Sequence, residues 1–308
     1  MSGMSAVKLR GPEKTITRAM REARIAYWVI IPFFVYIAIW NLLPLLLGVL
    51  MGFTEYNALT MPTWVGLRNY IRFFTQGDYL TLLWRQVWIG LICLSLNTVL
   101  SFLIALALNI KSRAKGFFRT SMYIPAIAAV SVTSAVFVSL LDPLTGGANR
   151  FLAGMGIDPI TWNHSQFWMV FWVVVYFIWR AIGPATIIWL GGLQGIDPSL
   201  YEAAEVDGAS AIKKVRYITL PGLRFVASYI ILTGIIAVMQ MFDIIMFLTA
   251  GNPFGQTDTL MFRIYRYGAV TFNLGMAGAA GTILGIVTLL FAVVYFKIVL
   301  HREAREDA

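Results

Sequence analysis

The chain has 308 residues, of which 59% are hydrophobic and 13% charged, against about 25% charged in an ordinary soluble domain. It carries one cysteine, two histidines and a formal net charge of +9. These values exclude a soluble single-core domain and an intrachain disulfide, and they assign the basic excess to membrane-flanking loops, not to nucleic acid.

The first two dozen residues are polar and basic, with Lys8, Arg10, Lys14, Arg18, Arg21 and Arg24. Apolar blocks follow, each long enough to cross a hydrocarbon layer of about 30 Å as a helix. The sequence predicts spans over 25–53, 82–110, 120–141, 166–190, 225–249 and 273–300. Pro32 and Pro44 fall inside the first, which spans tolerate when neighbours satisfy the freed backbone groups. Polar or Gly/Pro/Asn-rich stretches separate the blocks at 54–81, 142–164, 191–224 and 250–272, and a short basic loop holds Lys111, Arg113, Lys115 and Arg119. The expected organisation is an all-α integral membrane protein: a tail over 1–24, a six-span domain over 25–300 and a tail over 301–308. Six spans place both termini on one side. Seventeen Lys and Arg fall on that side and six on the other, which predicts cytoplasmic termini.

The 191–224 segment carries the most specific signal. Asp197 or Ser199 can cap a helix, Pro198 suits its first turn, and Ser199 with Glu202 has capping-box spacing. The helix is predicted to stop at Asp207-Gly208. A second short helix is expected over 209–217, and Leu220-Pro221 is expected to turn the chain into the fifth span. The arms are acidic and basic respectively.

The spacing Glu202-Ala203-Ala204, three residues, Gly208-Ala209, then Ile218 and Leu220-Pro221 resembles the EAA motif of ABC-importer permeases. Trp179-Arg180 is similar to the Trp-Lys pair of carbohydrate-uptake permeases. Phe242-Asp243 through Gly251-Asn252-Pro253, and Gly66-Leu67-Arg68-Asn69-Tyr70, resemble other segments of the same group, the maltose and glycerol-3-phosphate systems. The chain departs from that pattern at Val215, where an aromatic is usual, and at Asn252, where Gly is usual.

The resemblance implies a type I importer fold and a coupling role for Glu202, Ala203, Ala204, Asp207, Gly208, Ala209, Leu220 and Pro221. It implies a second homologous permease subunit, two ATP-binding subunits and an extracytoplasmic solute-binding protein in a prokaryotic inner membrane. No P-loop is present in the sequence, so no cofactor is expected on this chain, and ATP with Mg belongs to the partner subunits. The chain is therefore not expected to be an enzyme.

Polar residues inside spans mark function by default. Asn97, Tyr176, Trp179, Arg180, Gln240 and Asp243 are the candidate path for a sugar, with hydroxyl-binding groups beside aromatic rings. Helical spacing pairs Asn97 with Ser101, Tyr176 with Arg180 and Gln240 with Asp243. Arg180 and Asp243 differ in expected depth by roughly 12 Å at ~1.5 Å per residue, so they are assigned different partners. Arg180 is placed in the bundle interior or an inner gate, and Asp243 at helix ends near the outer mouth. Gly275, Gly278, Gly281 and Gly285 form a close-packing face. The competing reading is a secondary transporter subunit, which would favour inverted repeats and charged midplane sites. A membrane enzyme ranks last, because the sequence offers no catalytic or metal-ligand constellation.

Overall fold

The structure, a computed structural model, describes residues 27–28, 30–109, 115–252 and 254–306. The expected N-terminal tail, the basic residues Lys111 and Arg113, and the last two positions of the C-terminal tail lie outside the described residues.

Among the described residues, four helices are each long and apolar enough to cross a membrane: α1 (Ile30–Met51), α3 (Tyr79–Leu108), α7 (Gln166–Gln194) and α12, whose apolar part is Leu274–Lys297. Between α1 and α3 lie a two-stranded hairpin, β1 (Thr54–Glu55) and β2 (Thr63–Trp64), and the short helix α2 (Arg68–Thr75). Two more apolar stretches are broken. The first is α4 (Lys115–Ile127) followed by α5 (Val130–Leu140), with 95° between their axes. The second is α9 (Ala211–Gly222) followed by α10 (Arg224–Met239), bent by 68°. The helix α6 (Gly147–Gly154) lies between α5 and α7, α8 (Pro198–Val206) between α7 and α9, and α11 (Leu260–Tyr265) before α12. Helix α12 continues to Glu306, past the expected boundary at 300.

Buried positions along α3 are Leu82, Gln86, Ile89, Gly90, Cys93, Leu94, Asn97, Ser101 and Ala105. Their three- and four-residue steps define one helical face, which packs on α7 and α10. Glycines let these helices approach. A Cβ on Gly90 would lie 3.0 Å from Val238 of α10, and one on Gly234 would strike Leu94 of α3. Helix α7 is the most enclosed of the four long helices and α1 the least, with 44% and 0% of their apolar windows buried. The core therefore forms around α3 and α7.

Three expectations need correcting. The third apolar block was expected to be one continuous helix over 120–141; it starts earlier and breaks at Ala128-Ala129, where Ala129 is extended (φ −59°, ψ 131°). The fifth, expected over 225–249, ends its helix at Met239 and resumes after Gln240 as a π turn at Ile245–Thr249. The second arm of the 191–224 segment begins at Ala211 and runs through Pro221 to Gly222, so the chain turns at Leu223 and not at Leu220-Pro221. Pro221 is accommodated because Val215–Thr219, ending two positions before it, forms a π turn. Proline has no N–H for the carbonyl four residues back, and the wider turn removes that demand. The same device sits at the same offset before Pro44, where Ala38–Leu42 is a π turn.

The glycine face of α12 divides in two. A Cβ on Gly275 would strike the Thr54 carbonyl, and one on Gly278 would meet the backbone of Gly48 and Gly52. Gly281 and Gly285 have no atom within 4 Å of that position. The first half is the contact with the end of α1; the second half is open.

Candidate coupling loop and solute path

The 195–222 segment folds as two arms. Asp197 caps α8 by accepting a hydrogen bond from the Ser199 N–H at 2.9 Å. That N–H, and then the Ser199 hydroxyl, hold the Asp197 carboxyl below the usual carboxylate range. Asp197 is thus the cap, and Ser199 takes no cap role. The helix closes with the Ala209 N–H on the Ala204 carbonyl at 2.8 Å and the Gly208 N–H on the Glu205 carbonyl at 3.1 Å. Gly208 has φ +69°, the left-handed conformation that ends helices and favours glycine. Ser210 then caps α9 through the Lys213 N–H.

Two contacts join the arms. Tyr201 and Thr219 share a hydrogen bond at 2.9 Å, and Lys214 Nζ lies 3.5 Å from Glu205 Oε2. The loop leaves much apolar surface uncovered: Val206 is 89% exposed and Ile212 79%. Glu202, Ala203, Asp207, Gly208, Leu220 and Pro221 are exposed, while Ala204 and Ala209 are half-buried between the arms.

The predicted path residues fall into three separate places. Tyr176, Trp179 and Arg180 come together on α7 against α5. Arg180 Nη1 donates to the Ala128 carbonyl at 2.8 Å and to Thr133 Oγ1 at 3.5 Å, and Nη2 donates to the Ala126 carbonyl at 3.4 Å. Tyr176 is fully buried; its hydroxyl bonds Thr133 Oγ1 at 2.5 Å and the Val130 carbonyl at 3.2 Å. Trp179 packs on Phe137 with ring centroids 5.4 Å apart and stays partly exposed. One turn further along α7, a Cβ on Gly183 would run into the Met122 carbonyl of α4. This face of α7 is thus moulded to the broken helix.

Gln240 and Asp243 lie at the second break. The i, i+3 pairing assigned to them required a helix that ends at Met239. Gln240 is exposed and lines a groove of about 510 Å³ whose floor includes Gly281 and Gly285. Asp243 Oδ1 accepts from the Ile244 N–H at 2.8 Å, at the start of the resumed helix. Arg180 and Asp243 have separate partners, as their depths required. Asn97 is buried on α3, and its carbonyl oxygen has no hydrogen-bond partner among the described residues. Its neighbour Ser101 accepts from Trp189 Nε1 at 3.1 Å, joining α3 to α7.

Gln86 is not among the residues singled out from the sequence. This fully buried side chain donates to the Val238 carbonyl at 2.8 Å and the Met239 carbonyl at 3.3 Å, and accepts from the Met261 N–H at 3.1 Å. It holds the end of α10 and the start of α11 together. A glutamine within an apolar span was a visible signal by the same reasoning that selected Gln240. The Asp258 carboxylate, bonded to Arg263 Nε at 2.8 Å, was also passed over. Arg85 Nη1 reaches the Asp258 and Gly255 carbonyls at 2.8 and 2.6 Å.

A polytopic helical bundle with two broken helices and a projecting two-armed loop defines a membrane permease. The family described as "Binding-protein-dependent transport system inner membrane component" matches residues 97–305, and the chain belongs to it. It is a multi-pass membrane protein. The chain is 30% identical over 283 residues to the trehalose/maltose transport system permease protein MalF of Thermococcus litoralis, covering 90% of this chain and 94% of that one. Two solved structures share its fold. A bacterial ABC transporter involved in the import of the acidic polysaccharide alginate aligns with TM-score 0.84 and 21% identity, covering 93% of this chain and 99% of that one. A bacterial alginate ABC transporter in complex with an alginate pentasaccharide-bound periplasmic protein aligns with TM-score 0.80 and 22% identity, covering 90% and 94%.

Proposed function

We propose that this chain is the permease subunit of an ATP-driven sugar importer of the prokaryotic inner membrane. It crosses the membrane six times within residues 25–300, each broken pair completing one span, with both termini cytoplasmic. It works by alternating access beside a second homologous permease subunit. Two ATP-binding subunits supply ATP and Mg, and an extracytoplasmic solute-binding protein delivers the sugar. The trehalose/maltose relative supports a di- or oligosaccharide as solute.

One observation carries this reading. The 195–222 segment projects as a self-contained unit with its own caps, its own cross-arm contacts and an exposed apolar and acidic surface. A solvated connector has no use for Val206 and Ile212 in water, whereas a lever that seats in a partner does. Glu202, Ala203, Ala204, Asp207, Gly208, Ala209, Leu220 and Pro221 form the coupling surface in this reading. Gln240, Trp179, Asn97 and Asp243 are the path candidates. Gln240 is supported by its exposure in a groove, and Asn97 by an unpartnered buried carbonyl. Tyr176 and Arg180 act on the path through α5.

The test is ATP-dependent uptake of labelled maltose or trehalose by the complete complex in proteoliposomes. Gly208→Asp forces a side chain into a left-handed position and adds charge to the docking surface. Uptake is expected to fall at least tenfold, the factor ~1.4 kcal/mol represents, with insertion and assembly unchanged. Uptake at the parental rate would refute the coupling role, and uptake driven by an ion gradient without ATP would refute the importer reading.

A further inference from the structure

The break in the third apolar block has to be stabilised against a straight alternative. Residues 115–140 could form one continuous helix of ordinary composition. In that helix the Ala126 carbonyl would bond the Val130 N–H, and the Ala128 carbonyl would bond the Val132 N–H, by the four-residue rule. The observed 95° bend forfeits those partners. Backbone groups left bare in a membrane cost several kcal/mol each, so something must replace them. Pro125 is not enough. It removes its own N–H from α4, whereas the bared carbonyls lie after it.

Arg180 supplies the replacement. Its two terminal nitrogens reach the Ala126 and Ala128 carbonyls, two of those the bend leaves bare. Tyr176, one turn earlier on α7, takes the Val130 carbonyl and Thr133 on the far side of the break. Gly183, one turn later, admits the α4 backbone. A planar guanidinium presents several donors in a fixed fork, which a lysine ammonium cannot reproduce. Beyond the break, α5 packs on the π turn Ile245–Thr249 that follows the second break. Its face with Ser131 and Ser139 is left open.

We propose that Arg180 is a positioning residue for transport: it sets the bend between α4 and α5 by taking the carbonyl partners of the straight helix, and so keeps α5 against the Ile245–Thr249 turn. Arg180 touches no solute in this account. Its loss returns the Ala126 and Ala128 carbonyls to the N–H groups of residues 130 and 132, and the pair straightens. The transport consequence rests on the importer reading, whereas the bend does not.

The test uses spin labels at Thr120→Cys and Val136→Cys in a Cys93→Ser background, within the assembled complex, with distances read by pulsed electron paramagnetic resonance. Both sites are exposed. Eight residues lie on each side of the break, so at ~1.5 Å rise the backbone separation is ~17 Å bent and ~24 Å straight. The Arg180→Met complex is expected to shift its main distance outward by roughly that 7 Å difference. Arg180→Lys is expected to give both populations, and Tyr176→Phe a smaller outward shoulder. In uptake, Arg180→Met should lower the maximum rate about tenfold while the concentration of loaded binding protein giving half-maximal rate stays unchanged.

A parental distance distribution in both Arg180 variants overturns the proposal. If Arg180→Met does not accumulate in the membrane, Arg180→Lys and Tyr176→Phe decide alone, and parental distances in both overturn it. An outward shift in a complex whose parent imports no sugar supports the bend assignment and rejects the importer reading instead.

Discussion

The two-armed 195–222 loop and the broken α4–α5 pair are held together by opposite means. The loop is built from neighbours in sequence. Asp197 caps through Ser199, Ser210 through Lys213, and the arms meet through Tyr201 with Thr219 and Glu205 with Lys214, all within about twenty residues. The bend is built from strangers. Ala126 and Ala128 are held by Arg180, and the Val130 carbonyl also receives the Tyr176 hydroxyl, from more than forty residues away. In the isolated chain the loop's contacts are exposed, so solvent can replace one that is lost. The bend lies within an apolar block, where solvent replaces such bonds less readily. Local construction tolerates single losses, and remote construction in an apolar medium does not.

Four substitutions probe that difference. The largest effect is expected for Gly183→Leu, which drives a side chain into the Met122 backbone. Overpacking of this kind costs about 1–3 kcal/mol or more, and the thermal unfolding midpoint in detergent should drop with loss of uptake. An unchanged midpoint would mean that α4 can move off α7 freely. Next is Gln86→Leu, which strips the Val238 and Met239 carbonyls and the Met261 N–H of their partner. Buried groups left unsatisfied cost about 1–3 kcal/mol, readable in the same melt. If Gln86→Leu melts like the parent, the second break is held by packing alone.

Smaller effects are expected in the loop. Asp197→Ala should speed hydrogen exchange at the Ser199 amide without lowering the melting midpoint. The sign with pH follows from the depressed carboxyl. Stabilisation by the cap is fully present above the unfolded carboxylate value of about 3.9 and is lost only as pH falls through the lower folded value. Amide protection at α8 should therefore be flat across neutral pH and decline only in strong acid. Protection that declined near pH 6 would mean that the carboxyl is not the cap. Glu205→Gln should do least. The pair with Lys214 is largely exposed on the Glu205 side, and such pairs contribute less than about 1 kcal/mol. A large loss of stability there would show the loop to be as interdependent as the bend.

What was legible in the sequence follows the same division. The apolar blocks, their number and their order can be read because each helix in a membrane must satisfy its own backbone over about twenty residues. The loop was legible because its signals are local: a cap residue, a proline in the first turn and a glycine at the left-handed position. Even there, the continuation of α9 through Pro221 was missed, since a π turn can absorb a proline that would otherwise end a helix. The breaks at Ala128-Ala129 and Gln240 were not legible. Alanine and glutamine do not break helices by themselves, and Pro125, Gln240 and Asp243 each sit in a stretch long and apolar enough to read as one span. Arg180 could be picked out as a costly charge in a span, yet its partners could not, because a carbonyl leaves no trace in sequence.

The sequence by itself determined the class of protein, the helical blocks and the two-armed loop, because hydrophobic length, charge and local capping act between residues close in the chain. The tertiary structure alone decided where helices break and which side chains hold the breaks. A bend in an apolar helix survives only when a donor from another helix meets the carbonyls it bares, and that meeting is a property of packing.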